Sequence, residues 1–183
     1  MEIQSAFLPG LFVIQPKVIS DERGYFYEAY SEQQYKEVCG GALFVQDNVS
    51  RSVQNTIRGL HYQVGESAQG KLCKVVFGKV LDVAVDIRFG SPTFGKHFSV
   101  EISDENHKQL WIPPGFAHGF SVLSAEAVFH YKCTAYYSRE HERTILFNDP
   151  LLSIEWKVSK PVVSAKDLAA PQFSTIHKDF IFR

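Results

Sequence analysis

Short runs of apolar, β-branched and aromatic residues recur along this chain at close intervals, each closed by turn-forming residues, and nothing else restricts its fold as strongly. The runs are YFYEAY (25–30), ALFVQDNVS (42–50), TIRGLHYQ (56–63), KLCKVVFG (71–78), KVLDVAVDIRF (79–89), KHFSVEI (96–102), QLWIP (109–113), GFSVLS (119–124) and AVFHYKCTAYY (127–137). Gly78, Gly90-Ser91-Pro92, the SDEN stretch at 103–106 and Pro113-Pro114-Gly115 punctuate them. Strands of this length, broken by turns at this spacing, predict a mainly β sandwich or barrel. Helical signals are confined to two places. In SEQQYKEVCGG, Ser31 and Gln34 have capping-box spacing and Gly40-Gly41 supply a stop. In SAKDLAAP, Ser164 is placed to cap and Pro171 lies beyond the end, which puts Asp167 in a short C-terminal turn.

A chain of 183 residues suits one domain over 1–183 with a substantial core. Its 15 Phe and 8 Tyr against a single Met favour packed strands over a helical bundle. Lys plus Arg (19) and Asp plus Glu (20) nearly cancel, so no broad field draws in nucleic acid or an anionic membrane, and any anionic partner is held locally. Cys39, Cys73 and Cys133 are odd in number and include no C-x-x-C pair, which argues against a disulfide framework and for a reducing compartment. The opening MEIQSAFLPGLFVIQPKV carries an early acid and a proline, and no apolar run reaches the ~18 residues of a membrane span. A cytoplasmic protein is expected.

Period-two alternation sorts side chains by face. In AVFHYKCTAYY, Phe129, Tyr131, Cys133, Ala135 and Tyr137 oppose His130, Lys132, Thr134 and Tyr136, so Tyr131 turns inward. Gln46 and Asn48 share a side with Phe44, and Phe26 and Glu28 share one with Tyr30. Polar groups on aromatic-rich faces predict a lined cavity. Arg58 and His61 differ in parity, so they face one site only if Gly59 marks a bulge or sharp twist. Lys71 and Asp82 stand in runs that otherwise read as core, where unpaired charge is costly. For Asp86 in LDVAVDIR, simple alternation with a solvated face is the expectation.

His61 in TIRGLHYQ and His118 in WIPPGFAHGF are both isolated. A metal-binding cupin barrel requires a His-x-His pair, a carboxylate and a third histidine; PPGFAH resembles the later element, but HYQ supplies one imidazole. Two scattered histidines make a poor metal site. Buried structural histidines and acid–base chemistry without a metal remain the other readings.

DERGYFYE, QDNVSRS, IRGLHYQ, QGKL, VLDVAVDIR, GSPTFGK, LWIPPGFAHGF, YKCTAYYS, NDP and SAKDLAAP run in order over nearly the whole chain and resemble the dTDP-4-dehydrorhamnose 3,5-epimerase family. The resemblance implies a cupin-like double-stranded β-helix, a jelly-roll sandwich with a few short helices. It also implies a homodimer with exchanged N-terminal strands, a dTDP-4-keto-6-deoxysugar substrate, and no metal or other cofactor. By the same resemblance His61 is the catalytic base, Asp167 its orienting carboxylate and Tyr131 the proton donor, with Lys71 and Asp82 around the reacting sugar. Arg23, Phe26, Glu28, Gln46, Asp47, Asn48, Arg58, His118 and Tyr137 match nucleotide, diphosphate or sugar contacts, the first three reaching in from the partner subunit. Glu142 and Lys166 complete the set, although Glu140 shares the SREHER stretch with Glu142. Relatives that invert one centre of a related keto sugar, or a sugar-nucleotide binding module, are the alternatives.

Overall fold

The computed structural model describes residues 1–182, and two antiparallel sheets face each other in it. The first has the order β1 (Glu2–Ser5), β2 (Phe12–Gln15), β10 (Gln109–Ile112), β7 (Lys71–Phe77), β12 (Glu126–Cys133) and β5 (Gln46–Val53). The second has the order β13 (Glu142–Thr144), β6 (Thr56–Gln63), β11 (Phe116–Val122), β8 (Lys79–Asp86) and β9 (His97–Ser103), with β14 (Val162–Val163) parallel to β6. A separate hairpin joins β3 (Ile19–Asp21) to β4 (Gly24–Phe26). This two-layered, short-stranded architecture is the cupin-like β class that the turn spacing and the resemblance predict. No helix among the described residues is long and apolar enough to cross a membrane.

Three apolar clusters explain why the sheets stack. Between them Cys73, Val75, Leu110, Ala127 and Phe129 of the first sheet meet Val80, Ala84, Ile102, Phe120 and Val122 of the second. Phe120 and Phe129 stack across the gap with ring centroids 4.3 Å apart. Outside the first sheet, Ile14, Leu72 and Trp111 are covered by Tyr35, Val38 and Cys39 from the segment that begins with α1 (Glu32–Tyr35). Outside the second sheet, Val83, Val85 and Ala117 are covered by Ile145, Phe147, Leu152, Trp156 and Phe173 of the C-terminal segment.

That second cover corrects the expectation for Asp86. Residues 80–86 are buried on both faces, because the C-terminal segment closes the side that alternation assigns to solvent. Asp86 is fully buried and accepts bonds from the Arg88 guanidinium and the Ser91 and Thr93 hydroxyls. The YFYEAY run is shorter than expected, with strand geometry ending at Phe26, and AVFHYKCTAYY leaves its strand at Cys133. Ser31 occupies the N-cap of α1 but makes no side-chain capping bond, and the Gln34 amide donates to Glu28 at 2.9 Å rather than closing a capping box. Ser164 does cap α2 (Ala165–Leu168), accepting from the Asp167 amide.

Candidate active site

Strand β6 carries an irregularity that builds the site. His61 lies opposite His118 of β11 and Arg58 opposite Phe120, so three steps along β6 match two along β11. This is a bulge, and it turns Arg58 and His61 toward the same wall despite their opposite parity. Gly59 has φ +142°, and a Cβ on it would stand 2.5 Å from the Cα of Gly119. The two strands approach this closely because both positions lack a side chain.

A cavity of about 310 Å³ opens between the sheets beside the bulge. Arg58, His61 and His118 line it from the second sheet, and Asn48, Lys71 and Tyr131 from the first. A larger groove of about 570 Å³ adjoins it and shares Arg58 and His61. Arg51, Lys166, Val162 and Asp167 also line that groove. The Arg58 Nε donates to Ser52 Oγ at 3.0 Å, fixing the guanidinium at the junction.

His61 Nε2 lies 2.7 Å from Asp167 Oδ1, leaving Nδ1 as the free ring nitrogen. The dyad is assembled from distant sequence: α2 holds Asp167 through the Ser164 cap, and Asp167 Oδ2 also accepts from the Gly59 amide at 3.4 Å. Burial works against ionising Asp167, but His61, the Gly59 amide and Ser164 together hold its carboxyl below the ordinary 3.8. Tyr131 faces His61 from the opposite sheet. Burial, reinforced by the Cys133 and Cys73 sulfurs, pushes its phenol up to about 12, so it keeps its proton at neutral pH.

Lys71 is buried in the same wall, with Nζ 5.8 Å from the Tyr131 ring centroid. Burial lowers its pKa against the opposing pull of Cys133, Cys73 and Asp82. His118 Nε2 bonds Asp82 Oδ1 at 2.6 Å, and burial pulls the imidazole below 6.5 despite that partner, favouring the neutral ring. Cys73 Sγ lies 3.8 Å from the same nitrogen.

At the cavity mouth Glu142 accepts from the Tyr137 hydroxyl at 3.1 Å and pairs with Lys166 at 2.5 Å. Glu140 stands outside this group, its carbonyl accepting from Arg143. Gln46 donates to Asn48 Oδ1 at 3.0 Å and accepts from the Tyr137 amide. Asp47 does not join these residues. It points to the other face of β5 and binds Lys132 at 2.9 Å, as its odd position in the strand requires. Arg23, Phe26 and Glu28 are also apart, on and beside the β3–β4 hairpin, where Arg23 pairs with Asp21 and the Phe26 ring is exposed. Strands β1 and β2 pair within the chain, β2 running beside β10.

Sequence reasoning passed over Ser52 and Arg51 as contributors. The signal for Ser52 lay in its parity with Asn48 and Gln46 along β5. Gln63, the residue where HYQ departs from a second histidine, ties down two loops by donating to the Ser67 and Tyr136 carbonyls and accepting from the Ser138 amide.

A family model described as dTDP-4-dehydrorhamnose 3,5-epimerase matches residues 5–175. The chain is 54% identical over 166 residues to the enzyme of that name from Salmonella typhimurium, covering 90% of this chain and 91% of the relative. It is 49% identical over 174 residues to the one from Shigella flexneri, covering 94% and 96%. Among solved structures, a dTDP-6-deoxy-D-glucose-3,5-epimerase from Legionella pneumophila, in complex with dTDP-4-keto-L-rhamnose, matches with a TM-score of 0.95 at 48% identity. The match covers 100% of this chain and 98% of that one.

Proposed function

The chain belongs to the dTDP-4-dehydrorhamnose 3,5-epimerase family and is an epimerase, and from that premise we propose that its cavity inverts C3 and C5 of dTDP-4-dehydro-6-deoxy-D-glucose, giving dTDP-4-dehydro-L-rhamnose. The observation that carries the mechanism is that His61, backed by Asp167, and Tyr131 border one cavity from opposite sheets. Inversion beside a ketone requires a proton to leave one face and another to arrive on the opposite face. Two groups on opposed sheets meet that requirement.

His61 takes the proton on Nδ1, since Nε2 is engaged by Asp167. Ionised Asp167 fixes the tautomer and stabilises the imidazolium, and acid–base catalysis of this kind typically contributes about 10²–10⁴-fold. Negative charge then gathers on the C4 oxygen. Lys71, buried and with a single charge to offer, is the group that stabilises it; an oxyanion donor is typically worth about 2.7–4 kcal/mol. Tyr131, protonated at neutral pH, returns a proton from the other side. His118 lines the cavity with Asp82 hydrogen-bonded behind it, and the pair orients sugar hydroxyls.

Arg58 stands where the cavity meets the groove, which suits a diphosphate linking the sugar inside to the nucleoside outside. Lys166 lines the groove and Asn48 the cavity, and Glu142, Tyr137 and Gln46 join them in one hydrogen-bonded chain. Arg23, Phe26 and Glu28 of a second copy complete the nucleoside site in a homodimer. The exchanged N-terminal strands include the β3–β4 hairpin that carries or adjoins these residues. The one cupin-like domain works in the cytoplasm, in keeping with three buried free thiols. Neither a metal nor an organic cofactor enters the reaction.

Proton NMR of the 4-keto sugar nucleotide with the protein in D2O tests the reading, because exchange at C3 and at C5 reports each inversion separately. Exchange and inversion at both carbons are expected. Exchange at one carbon alone identifies a mono-epimerase, and exchange at neither identifies a binding module.

A further inference from the structure

Cys73 of β7, Asp82 of β8 and His118 of β11 are all buried, and a ligand atom from each lies within 4.8 Å of the other two. The group bridges the two sheets, since β7 belongs to the first and β8 and β11 to the second. His118 also lines the reaction cavity. The proposed chemistry uses Asp82 and His118 to orient sugar hydroxyls and leaves the Cys73 thiol without a role. A second observation marks the spot as unfinished: Asp82 Oδ2 is buried with no hydrogen-bond partner. A bare carboxylate oxygen beside a thiol and an imidazole is an arrangement that a soft divalent cation satisfies.

We propose that Cys73, Asp82 and His118 form a site for a thiophilic divalent cation of the Zn2+ or Co2+ kind, and that its occupation inhibits the enzyme. Zn–S bonds of about 2.3 Å and Zn–N or Zn–O bonds of about 2.0–2.2 Å set tetrahedral ligands roughly 3.3–3.7 Å apart. The Cys73–His118 separation of 3.8 Å is already close to that range. The Asp82–His118 separation of 2.6 Å opens by about 1 Å to reach it. On binding, the thiol loses its proton to solvent as the S–metal bond forms, and Asp82 exchanges its bond to His118 for one to the cation. Breaking the Asp82 bond releases the Nε2 proton to solvent while Nδ1 takes one up, so the neutral ring changes tautomer and Nε2 offers its lone pair to the cation. The cavity side supplies the fourth ligand, a water or a sugar oxygen. Three ligands plus one open position is a common zinc arrangement. Here the cation captures both groups that orient the sugar and places positive charge beside Lys71, so it stops turnover. This differs from a metal requirement, and the metal-free chain carries the activity.

Titrating the full-length, chelator-stripped protein with Co2+ tests binding without reference to turnover. One Co2+ per chain is expected, with a near-ultraviolet sulfur-to-cobalt charge-transfer band that Zn2+ abolishes. Turnover should be full after chelation, fall in step with occupancy, and recover with chelator. Cys73→Ser should lose the band, keep turnover, and resist Zn2+ at least about tenfold better. Cys73→Val, which fills the space without a donor atom, provides the same reading if the serine variant folds poorly. Cys39→Ser, whose thiol lies in the α1 cluster, should retain band and inhibition. The site is refuted by the absence of a thiolate band in the parent or by a band that survives loss of Cys73. Full occupancy with undiminished turnover refutes the inhibition. The inhibition arm rests on the proposed reaction cavity; the band does not, so the two readings fail separately.

Discussion

Gly59 and Gly119 meet back to back across β6 and β11, so close that a Cβ on Gly59 would lie 2.5 Å from the Cα of Gly119. The contact sits inside the bulge that brings Arg58 and His61 to one wall. It also places the Gly59 amide against Asp167 Oδ2. One backbone irregularity therefore couples Arg58, His61 and Asp167, the proposed diphosphate ligand, base and orienting carboxylate.

Gly59→Ala is expected to damage stability and catalysis together. The added methyl meets backbone, which cannot rotate away, at a φ that L side chains rarely adopt. Overpacking of this kind typically costs about 1–3 kcal/mol. Urea denaturation measures the first effect, and kcat/KM with dTDP binding measures the second. A variant with parent stability and parent turnover would show that the bulge does not need a glycine.

Asp167→Asn should lower turnover by about 10²–10⁴-fold, because an amide no longer fixes the His61 tautomer or stabilises the imidazolium. The stability signature has a definite sign. Asp167 is held below the ordinary 3.8 in the folded chain, so its contribution is present in full above that value. It is lost as pH falls through the lower, folded value. Denaturation of parent and variant across pH 5 to 3 should show their stability gap narrowing on acidification. A gap that widens toward pH 3 contradicts the assignment.

The main lines of the fold were legible from the residues, whereas the roles within the constellation came from the family resemblance. TIRGLHYQ coincides with β6 from end to end because its flanking turn residues are unambiguous. Tyr131 turns inward as alternation requires, and Ser164 caps the turn that carries Asp167. Face assignment failed where a local pattern had to know about distant chain. Asp86 alternates correctly along β8, yet residues 145–180 cover the outer face and bury it, with Arg88, Ser91 and Thr93 satisfying its oxygens. The resemblance groups Asp47 with Gln46 and Asn48, whereas the pleat sends it to Lys132 on the far side. The proximity of Cys73 to Asp82 and His118 had no local signal, since it depends on two sheets stacking.

Arg58→Ala should weaken dTDP binding by roughly 10- to 150-fold, corresponding to the about 1.5–3 kcal/mol of a hydrogen bond to a charged group. Arg58→Lys should recover part of this, since the charge returns without the planar fork. Lys108 lines neither the cavity nor the groove, and Lys108→Ala should bind as the parent does. Calorimetry with dTDP separates these outcomes. Equal, small losses for Arg58→Ala and Lys108→Ala would remove Arg58 from the diphosphate site.

His61 and Tyr131 differ in what their loss should do to the two halves of each inversion. His61→Ala leaves no base beside Asp167, so deuterium exchange and inversion should both stop. Tyr131→Phe retains the base, and the enolate still forms on the His61 side and collapses back there. Exchange should therefore survive at one carbon or more while inversion, above all at C5, falls by about 10²–10⁴-fold. The phenylalanine ring keeps the packing against Phe129, whose centroid lies 6.0 Å away, so the variant should melt near the parent temperature. Proton NMR in D2O follows exchange and stereochemistry in the same sample. If Tyr131→Phe inverts both centres at the parent rate, the proton arrives from another group or from water, and Tyr131 is a packing residue of the inter-sheet core.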